Sequence, residues 1–426
     1  MSDASNWSRL KHGAAEHRSY SRRRLCAMRW DAAPDPHWLS KCTSAVLPAG
    51  GPIALLTGDG SMPGARMQIF SGAGDLLSAW EWDFGRVRAL GWTSAVELAC
   101  VLEGGRVMLW SVRGQRSADF ALAEHIGHQE VLQCELFSTG LILLTKSLQL
   151  YALLSFTQRT VIQLPDPRLA TPPTAMAVLE KPENAASSST SNTTPLAPAT
   201  AEPTGSAAAL AASCPSVLLA TTSRTILLID PYECQDQLLT SGPFLRLSAS
   251  PNGKFVAAFS ASGNLLVMSS DFSRHLSELS THSNEPPRHL AWCGSDSLLL
   301  PWGSTLLMVG PYGDSVRFEY NHNPLLHAEI DGVRIITNDA TELLHRVPEQ
   351  TELIFTPGSL APAARLVEAC TAFNQGDARC DELLCSLEGE MASAVICCIH
   401  ASRYEIDTDA QKDLLRSAAF GKAYAL

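Results

Sequence analysis

The 426-residue sequence lacks the features that mark several common functional classes. No uninterrupted apolar run approaches the roughly 20 residues that span a bilayer, so any membrane role is expected to be peripheral and to act through partners. The start, Met1-Ser2-Asp3-Ala4-Ser5-Asn6, has no apolar core of a signal peptide. Charged residues make up 18% of the chain, below the roughly 25% of an average globular protein, which suits many short buried strands.

A basic excess and a cysteine framework are also missing. The net charge is −11 and the pI about 5.6, so non-specific binding to nucleic acid is not indicated. The 12 cysteines have no regular spacing. We interpret them as reduced thiols of a cytosolic protein, most of which pack as small apolar groups.

No catalytic motif is present. The sequence has no Gly-x-Ser-x-Gly elbow, no phosphate-binding loop, no His-Glu-x-x-His pair and no dinucleotide-binding glycine fingerprint. Gly58-Asp59-Gly60 and Gly72-Ala73-Gly74 separate strand-like runs and are interpreted as turns. The sequence therefore predicts a non-enzyme with no catalytic residue, no cofactor and no metal.

Two groups of residues resemble sites but are assigned to packing or to the surface. Cys380, Cys385, Cys397, Cys398 and His400 are the candidates for zinc, but no Cys-x-x-Cys pair occurs among them and Cys398 fits a helix core stripe. His12, Asp35 and His37 have no partners at useful spacing. Blade packing is the favoured role of the tryptophans in the strand repeats, Trp80, Trp82, Trp92, Trp110, Trp292 and Trp302.

A repeat of strand, polar turn, strand, Gly or Ser turn, strand dominates the chain. Three strong copies lie at 87–110, 245–268 and 288–309, and weaker copies lie at 46–70, 132–154, 217–230 and 331–347. Strands this short cannot bury their faces alone, so about seven units predict a radial β-propeller over 25–354. The Gly-His and Trp-Asp signals of standard WD repeats are missing, so the propeller is divergent. A pair of β-sandwiches is the alternative.

Two segments stand outside this repeat. Residues 1–24 are predicted to be a flexible lead-in to a first strand near 25–30, and Arg22-Arg23-Arg24 could alternatively form a lipid-headgroup patch. Residues 181–213 are almost all Ala, Ser, Thr and Pro and are predicted to be a disordered loop extruded from one blade. Serines 187–189 and 191 in it are possible phosphorylation sites.

The pattern changes from strands to helices near residue 355. Four short helices are predicted in 355–426, with apolar stripes at Leu366, Ala369, Cys370 and Phe373, then at Leu383, Leu384 and Leu387, then at Met391, Ala394, Val395, Cys398 and Ile399, and finally at Leu414, Leu415 and Ala418. The first is expected to end at Asn374-Gln375-Gly376, and the last to start at Asp407-Thr408-Asp409 and to end at Gly421. They suggest the first layers of an α-solenoid, which the chain end leaves truncated or capped by a partner.

Several stretches resemble one known family when they are taken in order. They are 51–56, Ala89-Leu90-Gly91-Trp92, Ala291-Trp292-Cys293, Glu329-Ile330-Asp331-Gly332-Val333-Arg334-Ile335, 342–348, and 411–422 with its Ala-Phe-Gly-Lys. The chain resembles the N-terminal half of the vacuolar protein sorting sixteen family, part of the class C core. This resemblance implies a propeller followed by an α-solenoid and no catalytic residues.

The resemblance also implies a function and partners. It suggests a scaffold subunit of HOPS- and CORVET-type tethering complexes, which is cytoplasmic and peripheral on late endosome, lysosome or vacuole membranes. Its implied partners are other class C subunits and, through a later part of the solenoid, a Sec/Munc-type regulator of SNARE-mediated fusion. The alternatives are a coat- or nuclear-pore-type structural subunit and a propeller adaptor or hydrolase.

Overall fold

Short strands dominate the computed structural model of the chain, which describes residues 7–11, 17–30, 35, 37–180 and 214–425. The strands of this part, numbered β1 to β29, are Trp7–Lys11, His17–Ala27, Cys42–Val46, Ile53–Thr57, Arg66–Phe70, Leu76–Glu81, Val87–Trp92, Leu98–Leu102, Arg106–Trp110, Arg116–Ala121, Val131–Leu136, Leu141–Thr145, Leu150–Leu153, Val161–Gln163, Ala175–Leu179, Ser216–Ala220, Ile226–Ile229, Cys234–Asp236, Phe244–Ala249, Phe255–Ser260, Asn264–Ser269, His275–Ser280, Ala291–Cys293, Ser297–Trp302, Thr305–Val309, Ser315–Glu319, Leu325–Ala328, Gly332–Ile336 and Ala340–Arg346.

The described helices are few and lie mostly at the C-terminal end. A 3-10 helix covers Trp38–Lys41, and the α-helices α1 to α6 are Ala123–Ile126, Glu349–Phe355, Pro362–Gln375, Arg379–Cys385, Met391–Tyr404 and Thr408–Ala425. By its contacts the chain divides into two compact units: Arg23–Leu344, called here the propeller unit, and Met1–Arg22 with His345–Leu426, called the helical unit. Helices begin at Glu349, several residues before the predicted boundary near 355.

Seven antiparallel sheets confirm the predicted propeller and its seven units. Blades 1 to 6 are four-stranded and sequential: β3–β6, β7–β10, β11–β14, β15–β18, β19–β22 and β23–β26. The seventh sheet has the order β1-β2-β29-β28-β27, so its strands come from both ends of the β region. The long segment 181–213, predicted to be disordered, lies outside the described residues.

The core of the propeller unit lies between neighbouring blades. One cluster joins Ala54 and Met67 of blade 1 to Leu98 and Met108 of blade 2, and each of these side chains is fully buried. Further clusters of the same kind occur between the later blades. Alternate residues of each strand therefore face opposite neighbours, and burial of both faces explains the near-continuous apolar strands.

The tryptophans contribute to this packing as predicted. Trp82 is buried, and the Trp80 and Trp110 rings stack with centroids 4.6 Å apart. The two glycine-rich stretches also form the turns expected of them. Gly58, Gly60 and Gly74 have φ values of 64°, 80° and 89°, the left-handed region that glycine adopts without a steric cost.

The N-terminal lead-in was predicted wrongly for its described residues. β1 pairs with β2 from Trp7↔Ser21 to Lys11↔His17. Within the helical unit the Ser19 carbonyl accepts a hydrogen bond from the Val347 amide at 2.8 Å. Backbone pairing thus holds a strand whose side chains are too polar to signal one.

A buried ion pair stabilises the Asp-Gly-Val-Arg stretch of the propeller unit. Arg334 in β28 is 1% exposed, and its Nε lies 3.1 Å from Oε1 of Glu329 at an angle unsuited to a hydrogen bond. Arg334 also donates to the carbonyl oxygens of Gly51 (3.2 Å) and Leu47 (2.6 Å), and Glu329 Oε2 accepts from the Ala49 amide at 2.5 Å. Burial lowers the pKa of Arg334 despite this pairing. The network fastens blade 7 to the β3–β4 turn of blade 1.

The helical unit follows most of the predicted capping. α3 ends at Gln375, and Gly376 caps it with a φ of 72°. Asp407 Oδ1 accepts from the Asp409 amide at 3.1 Å, as expected at the start of α6. That these helices begin a solenoid stays a prediction.

Other helical predictions need correction. Phe373, Ile399 and Leu415 are 61%, 44% and 47% exposed, because each lies at the margin of its helix stripe beside a buried neighbour. α6 also continues through Gly421 to Ala425. A Cβ at Gly421 would lie 2.8 Å from Val395 Cγ2 and 2.9 Å from Leu366 Cδ2, so this glycine permits close helix packing and does not end the helix.

Candidate functional site

The first strand of each blade lines the central channel, since these strands contact one another from blade to blade. Hydrogen bonds between blades establish their direction. Near the strand starts, Gln133 Nε2 donates to the Pro173 carbonyl at 3.1 Å. Near the strand ends, Trp92 Nε1 donates to the Ala45 carbonyl at 3.2 Å. Because start meets start and end meets end, the inner strands run parallel, and the channel has two chemically distinct ends.

Arginines gather at the end where the strands start, which we call the arginine mouth. The channel cavity that opens there extends to the other end of the channel, has a total volume of about 630 Å³ and is lined by residues of blades 1 to 6. Arg86 and Arg88 come from the start of β7, Arg246 from the start of β19, and Arg288 from the segment before β23. Arg88, Arg246 and Arg288 therefore project from equivalent positions of their repeats, and Arg86 lies two residues before Arg88.

Two of these arginines have carboxylate partners. Arg86 Nε lies 2.8 Å from Asp59 Oδ2, and Arg88 Nη2 forms an ion pair with Glu103. Hydrogen bonds from the Ser61 hydroxyl and amide, followed by the charge of Arg86, lower the pKa of Asp59. Asp59 thus stays ionised and compensates Arg86.

The other two arginines are bonded only to carbonyl oxygens in the part of the chain that the structure describes. Arg246 Nε donates to the carbonyls of Pro287 (3.1 Å) and Arg288 (3.2 Å), so its guanidinium lies against the backbone that carries Arg288. Arg288 Nη2 reaches the carbonyls of Ser40 and Cys42 at 3.4 and 3.5 Å. Two positive charges therefore line the same cavity without forming an ion pair to a carboxylate of the described residues.

Carboxylates occupy the opposite end of the channel. Glu180 follows β15 and accepts a hydrogen bond from the Ser138 amide at 3.1 Å, while Glu135 is near the end of β11. The protein that surrounds Glu135 desolvates its carboxyl and raises its pKa to about 7, although the residue is not closed off from the channel and remains exposed. We call this end of the channel the carboxylate end.

Glu135 predicts a pH dependence of stability. A carboxyl whose pKa is raised by folding favours the folded state below the unfolded value of 4.5, and this contribution is lost as the pH rises through about 7. Glu135→Gln is therefore expected to stabilise the propeller unit at pH 8 relative to wild type by about 1 kcal/mol, a value reduced by screening from channel water. Urea unfolding at pH 5 and pH 8 measures this difference.

The matched control is Glu124→Gln, which removes an exposed carboxylate outside the channel. It is expected to leave the difference between the two pH values at the wild-type level. Equal pH dependence in Glu135→Gln and wild type would contradict the assignment of a raised pKa to Glu135.

The residues proposed from sequence as zinc candidates do not assemble. Cys380 and Cys398 are buried in the helical unit, whereas Cys385 is exposed. Burial raises the pKa of Cys398 to about 12 and that of Cys397 less strongly, which disfavours the thiolate that a metal needs. Among the described residues, no group of three or more His, Cys, Asp or Glu side chains is placed to hold a metal ion.

The polar residues near the N-terminus form local contacts. Lys41 forms an ion pair with Asp35, and the His37 amide donates to Asp35 Oδ1 at 3.1 Å. The hydrogen bond from Lys41 is the main cause of the lowered pKa of Asp35. The rings of His37 and His322 lie edge to face at 5.5 Å, and His12 is outside the described residues. None of these contacts belongs to the lining of the arginine mouth.

The channel arginines were not predicted from the sequence, although a signal was present. In the strong repeats Arg88 and Arg288 each precede a tryptophan by four residues, and Arg246 has the equivalent place in its repeat. A cation that recurs at one position of a repeat is brought to one end of a propeller channel.

Among the helices that the structure describes, none combines the length and the apolar character that a membrane-spanning segment needs.

Comparison with known proteins identifies the family. The model of the Vps16 N-terminal region matches residues 4–425. The chain is 30% identical to Protein VACUOLELESS1 of Arabidopsis thaliana over 430 residues, which cover 96% of this chain and 48% of that protein. It is 29% identical to the vacuolar protein sorting-associated protein 16 homolog of Dictyostelium discoideum over 427 residues, which cover 95% and 47%.

The fold of the chain is also similar to that of a solved β-propeller structure. The β-propeller domain of Cps50 (Swd1) from Myceliophteria thermophila has a TM-score of 0.49 and 12% identity, and the match covers 75% of this chain and 98% of that chain. The chain spans about half the length of the curated relatives that it matches. Since the family model covers nearly all of its residues, the chain belongs to the Vps16 N-terminal region family.

Proposed function

We propose that the chain acts as a non-catalytic, protein-binding scaffold in vacuolar protein sorting. The observation that carries this proposal is the family match over residues 4–425, together with the sorting function in the names of relatives such as the Dictyostelium protein. The finer proposal is a subunit of a HOPS- or CORVET-type tethering complex, which promotes vesicle docking and SNARE-mediated fusion. It acts from the cytoplasm, on late endosome, lysosome or vacuole membranes that it reaches through partners.

The surface of the helical unit supports protein binding. Large apolar side chains with at least 44% exposure are as numerous in residues 345–426 as in the much larger propeller unit, counted over the described residues: Leu353, Leu360, Phe373, Ile396, Ile399, Tyr404, Ile406, Leu415 and Tyr424. Exposed apolar surface at this density is typical of interfaces with other proteins. A scaffold gains avidity when separate surfaces bind linked partners, since each further contact is effectively intramolecular.

Affinity purification tests the proposal. The native gene is tagged, the product is purified gently, and its partners are identified by mass spectrometry against a tag-only control. We expect the other class C subunits and a Sec/Munc-type protein to copurify well above the control. Recovery of coat or nuclear-pore subunits, or of no specific partner, would contradict the tethering role.

A further inference from the structure

The arginine mouth has the composition of an anion-binding site that the scaffold role does not use. We propose that it binds a compact phosphate-bearing anion through Arg88, Arg246 and Arg288. Such an anion would come from a soluble polyphosphate or from a phosphorylated lipid headgroup. This inference stands apart from the proposed function, since it concerns a small ligand inside one unit.

Two arginines of the mouth carry positive charge that no carboxylate of the described residues compensates. The Arg246 guanidinium bonds to the carbonyl of Arg288, and neither side chain forms an ion pair within the described residues. Burial is the main cause that lowers the pKa of the neighbouring His289 to about 4, and the charges of Arg288 and Arg246 lower it further. Two adjacent cations repel each other, and a bound anion would remove that repulsion.

The arginine mouth also contains a buried hydrogen-bond donor that has no acceptor in the described part of the chain. Arg88 Nε is buried and has no hydrogen-bond partner, although Nη2 of the same guanidinium is paired with Glu103. Buried N–H groups are rarely left without an acceptor, and a turn of this guanidinium toward an anion in the cavity would provide one. Arg88 also lies at a break in register between β7 and β8, and the equivalent pairing of β19 with β20 breaks just before Arg246. Bulges of this kind redirect side chains at functional positions.

The guanidinium groups of the mouth match a phosphate in charge and in hydrogen-bonding geometry. A planar guanidinium donates two parallel hydrogen bonds to a phosphate, and such charge-assisted bonds are stronger than neutral ones. The other charged groups of the lining do not oppose the anion at the mouth. Asp59 is neutralised by Arg86, while Glu135 and Glu180 lie at the carboxylate end. The channel cavity measures about 630 Å³ from the mouth to the carboxylate end, which leaves room at the mouth for a compact polyanion.

Calorimetric titration of the full chain with inositol hexakisphosphate and with inorganic triphosphate tests the proposal. We expect saturable binding that weakens with added salt and that falls at least about tenfold in Arg246→Gln/Arg288→Gln. The matched control is Arg274→Gln/Arg317→Gln, which removes two exposed arginines of the same unit from outside the cavity. It is expected to stay within about twofold of wild type, because distant exposed charges are screened.

The single variant Arg288→Gln shows whether weaker binding results from misfolding. Because the hydrogen bonds of Arg288 are long, we expect this variant to keep the wild-type melting temperature and to bind the anion more weakly. Cosedimentation with phosphatidylcholine vesicles that contain phosphatidylinositol bisphosphate distinguishes the two sources. Vesicle binding that free inositol hexakisphosphate displaces and that the channel double variant loses indicates a headgroup, whereas calorimetric binding without vesicle binding indicates a soluble ligand. Absence of binding in both assays, or equal binding by the channel double variant, would overturn the proposal.

Discussion

Replacing Arg334 with methionine is expected to lower the free energy of unfolding of the propeller unit by about 3–5 kcal/mol. The substitution leaves the Glu329 carboxylate, which is only 8% exposed, without its cation. It also removes the donors to the carbonyls of Gly51 and Leu47. Urea unfolding followed by tryptophan fluorescence measures this loss, because every tryptophan except Trp7 belongs to the propeller unit.

A double variant separates charge from packing. Glu329→Gln/Arg334→Met removes both charges and is expected to recover part of the stability, because the uncompensated buried carboxylate is the costly product of the single change. Arg317→Met replaces an exposed arginine of another strand and is expected to change stability by less than about 0.5 kcal/mol. A loss below about 1 kcal/mol in Arg334→Met would show that the closure of blade 7 does not depend on this pair.

Gly421→Ala is expected to destabilise the helical unit by about 1–3 kcal/mol, although alanine is the better helix former by about 1 kcal/mol. The added Cβ would lie under 3.0 Å from side-chain atoms of Val395 and Leu366. Leu366 is fully buried, so in a close-packed interior its side chain can withdraw only by displacing its neighbours. Hydrogen exchange of peptides from α3, α5 and α6 measures the change, and each 1.4 kcal/mol corresponds to tenfold faster exchange by global opening.

The neighbouring exposed position provides the control for this change. Lys422→Ala alters helix propensity and charge at the same end of α6 without entering the interface, so exchange is expected to stay near the wild-type rate. Slower exchange in Gly421→Ala than in wild type would mean that propensity outweighs packing and that the interface relaxes around a methyl group.

Local signals explain what was predictable from the sequence. Turn residues such as Gly58-Asp59-Gly60 and the repeated apolar runs predicted the strands and seven blades, because blades 1 to 6 are contiguous units with their own turn chemistry. The caps at Gly376 and Asp407 were predicted for the same reason, since a helix end is a local structure.

The misses share a dependence on distant parts of the chain. β2 was missed because pairing, and not its own side chains, holds a polar strand such as 17–27. Gly421 resembled a helix end until Leu366 and Val395 were placed beside it. The arginine mouth was not recognised because Arg88 and Arg288 line one cavity only when the blades are arranged around an axis.

The closing of the last blade by an early strand also determines when the protein can fold. The Met28 amide donates to the Asp339 carbonyl at 3.0 Å. This contact joins one residue from the start of the β region to one from its end, and the second is synthesised much later than the first. Blades 1 to 6 can form as each emerges from the ribosome, but the ring stays open until the chain beyond residue 340 has been made. Until then the edge that later pairs is exposed, and an exposed strand edge recruits other chains. Translational pauses or chaperones that act in this interval are therefore expected to influence the yield of folded protein more than those that act earlier.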